Sequence, residues 1–139
     1  MTTGKLIAGL VTTLALSAVT IAFAAPKTAT ITVTDNSSGL SAPSTSGFSS
    51  HFNASGCGFK ANDPNYELVV RGPGQFTSSS TYWVDAFPVS SNGCGSASPS
   101  WSGSGVTGYF DVYVVHSPSG NATQAQPASN IVTIYISSP

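Results

Sequence analysis

The chain has 139 residues, of which only four are Lys or Arg and five are Asp or Glu, for a net charge of −1. It offers no basic patch, so nucleic acid and anionic membrane surfaces are excluded as partners. Solubility has to come from Ser, Thr, Gly and Asn, a composition common in extracellular proteins.

Residues 1–24 read as a cleavable signal peptide. Lys5 supplies a positive start, 6–23 is a charge-free apolar run, and Ala22-Phe23-Ala24 is a small-x-small processing site. A retained anchor is the competing reading, because the run approaches the ~20 residues that span a bilayer. The Thr and Ser content and the Ala-x-Ala ending favour cleavage. Residues 25–139 are then one secreted domain, large enough to bury a single core and with no membrane association after cleavage.

The first predicted strand, 28–34, alternates strictly, with Ala29, Ile31 and Val33 inward and threonines outward. A Ser/Gly/Pro-rich loop follows over 35–47. A weaker strand covers 48–55, with Phe48, Ser50 and Phe52 on one face. Asn62-Asp63-Pro64-Asn65 is a strong turn signal. Strands follow at 66–71, ended by Gly72-Pro73-Gly74, and at 82–89, ended by Ser90-Ser91-Asn92-Gly93. A short strand is expected at 97–101. The clearest stretch is 108–116, with Phe110, Val112 and Val114 on one side and Tyr109, Asp111 and Tyr113 on the other. After a polar loop, 130–136 closes the chain with Val132, Ile134 and Ile136 inward. No run of ten residues has helical periodicity, and about seven short strands separated by turns imply an all-β, two-sheet sandwich.

Cys57 and Cys94 are the only cysteines. An even count behind a signal peptide implies a disulfide. Each is flanked by glycines, Gly56-Cys57-Gly58 and Gly93-Cys94-Gly95, which mark turns needing unusual backbone angles. A two-cysteine metal site would need further ligands, and His51 and His116 do not sit at metal-ligand spacing.

Gly56-Cys57-Gly58-Phe59 resembles the Gly-x-Gly-Phe stretch of bacterial and archaeal immunoglobulin-like (fibronectin-III-like) modules. Gly108-x-Phe110-x-Val112-x-Val114 is similar to their Gly-x-Tyr-x-Val-x-Val penultimate strand, with Phe in place of Tyr. Ser129-Asn130-Ile131-Val132-Thr133-Ile134 is similar to their Ser-Asn-x-Val-Thr-Val last strand. The likeness covers 28–136 and implies an immunoglobulin-like sandwich, but it separates spacers, adhesins, filament subunits and sugar-binding domains poorly. The chain departs from antibody domains, its cysteines being expected in loops rather than on facing strands. Alternating strand directions would place the 56–65 and 90–96 turns at one end, bringing Cys57 beside Cys94.

No catalytic residues, metal or cofactor are expected. There is no nucleophile-elbow pattern. Glu67 and Asp111 would mimic a glycosidase pair if their strands are neighbours, but with Arg71 nearby they read as cross-strand charges. The candidate binding face is the outward side of the sheet containing 108–116: Tyr109, Tyr113 and Tyr135, with Val115, Ile131 and Val69. Either Trp83 with Phe87, or Tyr82, joins them. Such an aromatic surface marks a partner site, either for self-association or a cell-surface protein, or for a polysaccharide stacking on the rings. The competing reading is a loop, 72–81 or 117–128, covering this face. The first strand could likewise add to a neighbouring subunit's sheet edge, an ordinary first strand being the simpler reading. Asn36, Asn53 and Asn121 each begin an Asn-x-Ser/Thr glycosylation motif, which a Ser/Thr-rich chain carries readily by chance.

Overall fold

The computed structural model describes residues 28–43, 47–72, 81–99 and 107–138. The leader 1–24, Trp101 and most of the 72–81 loop lie outside the described residues. Among the described residues there is no helix, and eight strands form two sheets. These are β1 (Thr30–Asp35), β2 (Phe48–Ser49), β3 (Phe52–Cys57), β4 (Tyr66–Gly72), β5 (Thr81–Ala86), β6 (Cys94–Ala97), β7 (Gly108–His116) and β8 (Val132–Ser138). The order is β1-β3-β6 in one sheet and β2-β8-β7-β4-β5 in the other.

One apolar core joins both sheets. Ile31, Val33, Phe52 and Ala54 come from the three-stranded sheet; Leu68, Val70, Phe110, Val112, Val114, Ile134 and Ile136 come from the five-stranded one. These are the inward rows of the alternating pattern. Enclosed phenylalanines such as Phe52, Phe87 and Phe110 each contribute ~1.5–3 kcal/mol of apolar transfer.

The strand expected over 48–55 is in fact two. Phe48–Ser49 pairs parallel with β8, while Phe52–Cys57 pairs antiparallel with β1 and β6. The chain changes sheets at Ser50–His51, and Ser50 is buried at the corner. Phe48 and Phe52 thus both enter the core, but from different sheets, with Ser50 buried between them.

The cysteines do not lie in loops. Cys57 ends β3, Cys94 begins β6, and the two are direct cross-strand partners, disulfide-bonded with their Cα atoms 4.0 Å apart. The bridge therefore staples neighbouring strands of one sheet. The reason is that two of the four flanking glycines are strand residues. A Cβ on Gly56 would lie 2.0 Å from the Thr30 carbonyl oxygen, so glycine lets β1 approach β3. Gly93 is a true turn glycine, with φ of 76°. As a result the short strand expected over 97–101 begins three residues earlier, at Cys94.

β1 is an ordinary edge strand on its own β3, and its outer edge is closed by the same chain. Ala29 N–H donates to the Ala128 carbonyl, Ala42 N–H to that of Val33, and Asp35 N–H to that of Leu40. The Asn130 side chain covers Ile31 between them. A sheet edge occupied in this way offers little to an added strand.

Candidate functional site

Register decides which outward residues meet. β7 pairs with β8 so that Tyr109 faces Tyr135 and Asp111 faces Thr133. The tyrosine rings are 4.9 Å apart, tilted by 57°. Tyr109 is 61% and Tyr135 41% exposed, and Ile131, in phase with Tyr135, is 43% exposed. Beside them Thr133 Oγ1 donates to Asp111 Oδ1 at 2.6 Å. The result is a small, nearly uncharged aromatic patch on the five-stranded sheet.

Tyr113, Val69, Val115, Trp83 and Phe87, all expected in this patch, are elsewhere. Tyr113 does lie on the outward side, opposite Val69, but it is only 5% exposed. The 117–128 loop folds back over it, Val115 bridging to Pro127, and Ala122 and Ala125 pack on Val69, Tyr113 and Val115. Trp83 sits opposite Val70, on the inward row of β5, and its ring lies 5.9 Å from that of Phe110. It belongs to the core with Phe87.

The carboxylates do not form a pair. Glu67 is opposite Val115 and Asp111 opposite Arg71. Four residues of strand separate them, roughly 13 Å at the rise of a β-strand, beyond the separations of glycosidase acid–base pairs. No group of three or more His, Cys, Asp or Glu among the described residues is placed to hold a metal ion.

A polar cluster at the disulfide end was not foreseen. Asp63 is buried in the 62–65 turn. Its Oδ1 accepts from the backbone N–H and the side-chain amide of Asn65. Its Oδ2 accepts from His116 Nε2 at 3.1 Å, with Lys60 Nζ at 3.5 Å. The Asn65 N–H chiefly, outweighing the opposite pull of burial and helped by His116, holds this carboxyl below its ordinary range. Tyr66 stacks between Phe59 and His116, with ring centroids 5.0 Å from each. The cluster pins the turn before β4 to the end of β7. The turn was legible in the sequence; its partner across 53 residues was not.

Asp35 forms a second knot. It continues the inward row of β1 and is 3% exposed. Burial pulls its pKa upward, but hydrogen bonds from the Ser38 and Ser49 hydroxyls and from the Ser37 and Ser38 N–H groups outweigh that and hold it low. Ser38 Oγ donates to Oδ2 at 2.6 Å and Ser49 Oγ to Oδ1 at 2.5 Å. The knot ties β1 to β2.

A shallow cleft of about 400 Å³ runs between β1 and β8, lined by Ile31, Ala42, Pro43, Asn130, Ile131 and Val132. No protein family, curated protein or solved structure matches this chain. The class stated by the molecule itself is an all-β protein of two sheets, the smaller of them stapled by a disulfide.

Proposed function

We propose that this chain is a secreted, non-catalytic immunoglobulin-like β-sandwich module with a structural or adhesive role at the cell surface. Its contact surface is the Tyr109–Tyr135 patch. The observation that carries the reading is this solvent-facing cross-strand tyrosine pair on the five-stranded sheet, flanked by exposed Ile131. Exposed aromatic surface of this kind is what protein contacts bury. The run β8-β7-β4-β5, facing β1-β3-β6, supports an immunoglobulin-like path, in which the third, sixth and seventh strands of the core share one sheet. A disulfide supports passage through an oxidising compartment.

The alternative is polysaccharide binding on the same rings. The 57° tilt between them weighs against it, since a sugar face stacks best on a flat platform. The withdrawal of Tyr113, Trp83 and Phe87 leaves the patch with fewer rings than the alternative calls for.

The test is light scattering over a concentration series on the full chain and on Tyr109→Ala/Tyr135→Ala. Association that the double variant abolishes at unchanged melting temperature is the expected result. A monomer that is retained by an insoluble polysaccharide through these tyrosines would transfer the site to the alternative. A monomer retained by neither cells nor polysaccharide would overturn the contact role.

A further inference from the structure

We infer that Asn121 is an acceptor for an N-linked glycan, and that the fold itself selects it over Asn36 and Asn53. All three begin an Asn-x-Ser/Thr motif, so the sequence alone does not rank them. What separates them is the state of the amide and of the hydroxyl two residues on, the groups a transferase has to engage together.

Asn121 opens a turn, with Gln124 N–H donating to its carbonyl. Asn121 and Thr123 are exposed, while Ala122 between them is buried against Val69 and Tyr113. The buried methyl anchors the turn and presents its two neighbours to solvent. The hydroxyl is already aimed at the amide, Thr123 Oγ1 donating to Asn121 Oδ1 at 3.4 Å. Asn121 Nδ2 donates to the exposed Gln124 Oε1, a surface contact that solvent or an enzyme replaces readily.

At Asn36 the corresponding hydroxyl is spent, because Ser38 Oγ donates to the buried Asp35 carboxylate at 2.6 Å. Asn53 is half-buried within β3, between β1 and β6, and its Oδ1 accepts from Ser98 Oγ. A strand held on both sides has to open before an enzyme can bend it.

In the reaction a bond forms between Asn121 Nδ2 and the anomeric carbon of a polyprenyl-pyrophosphate-linked oligosaccharide. The bond from that carbon to the pyrophosphate oxygen breaks, polyprenyl pyrophosphate leaves with the electron pair, and the amide proton passes to a base of the transferase.

The full disulfide-bonded chain is incubated with a single-subunit oligosaccharyltransferase and that donor, beside the same chain reduced and denatured. Site occupancy is read by peptide mass spectrometry. The denatured chain establishes that enzyme and donor are active and that each motif is readable. In the folded chain, occupancy at Asn121 should exceed that at Asn53 by at least about tenfold, since a loop opens at far less cost than a doubly paired strand. Asn121→Gln should remove nearly all of the product. Equal use of the three sites in the folded chain would overturn the proposal. So would an unmodified Asn121 in a folded chain whose denatured form is modified.

Discussion

The Asn130 side chain lies against Ile31 as a neighbouring strand would. Its Oδ1 accepts from the Ile31 N–H at 2.7 Å and its Nδ2 donates to the Ile31 carbonyl at 3.1 Å. One amide group thus satisfies both edge-facing groups of a residue at the border of its sheet. Next to it Ser129 Oγ accepts from the buried Val114 N–H at 2.9 Å. The Ser129-Asn130 pair therefore closes gaps in both sheets at once.

Asn130→Leu should cost about 1–3 kcal/mol, because two bonds go and the peptide groups of Ile31 lose their partner. Chemical denaturation measures the loss. The variant should also associate more readily than the parent at high concentration, its β1 edge being open. Unchanged stability would show that water replaces the amide without penalty.

Removing the disulfide through Cys57→Ser with Cys94→Ser should lower stability by about 4 kcal/mol in the chain-entropy account. The bridge closes a separation of 37 residues. The register between β3 and β6 is also held by Ala54 opposite Ala97 and Gly56 opposite Gly95. The reduced protein should consequently keep the same circular dichroism spectrum below its lowered melting point.

Acid should weaken the fold through Asp35. Its carboxyl titrates below its ordinary value of 3.8 in the folded chain, so the unfolded chain takes up the proton first. The stabilisation is full above that value and is lost as pH falls through the folded pKa. Asp35→Asn should flatten the acid limb of a stability–pH curve below pH ~4, whereas an unaltered limb would locate the acid sensitivity elsewhere. Asp63, lowered in the same sense, should leave a residual slope in that variant.

Two tyrosines on one strand face should respond differently. Tyr113→Ala removes a side chain enclosed by Val69, Val115 and Ala122 and should cost about 3–5 kcal/mol. Tyr109→Ala removes one that is 61% exposed and should stay within about 0.5 kcal/mol. Thermal melts of the two variants decide it; similar losses would mean that the 117–128 loop does not cover the sheet in solution.

The sequence by itself determined most of the strands and, where alternation is strict, their faces. Strict alternation over 108–116 assigns Phe110, Val112 and Val114 to one side and Tyr109 and Tyr113 to the other, because a strand turns successive side chains to opposite faces. The same local rule put Ile31 and Val33 inward, and two cysteines behind an apolar leader implied their bridge. Only the tertiary structure decided which face stays open and where. Period two does not say whether Tyr113 meets water or Ala122, since that depends on a loop folding back through the Val115–Pro127 bridge. It likewise left open the phase of the strand at 81–86, which register against Val70 resolves by turning Trp83 inward. Nor did it reveal that Gly56 serves a strand rather than a turn, or that His116 finds Asp63. Each of these is a contact between distant segments, made by packing the two sheets onto one core, and no local pattern encodes its partner.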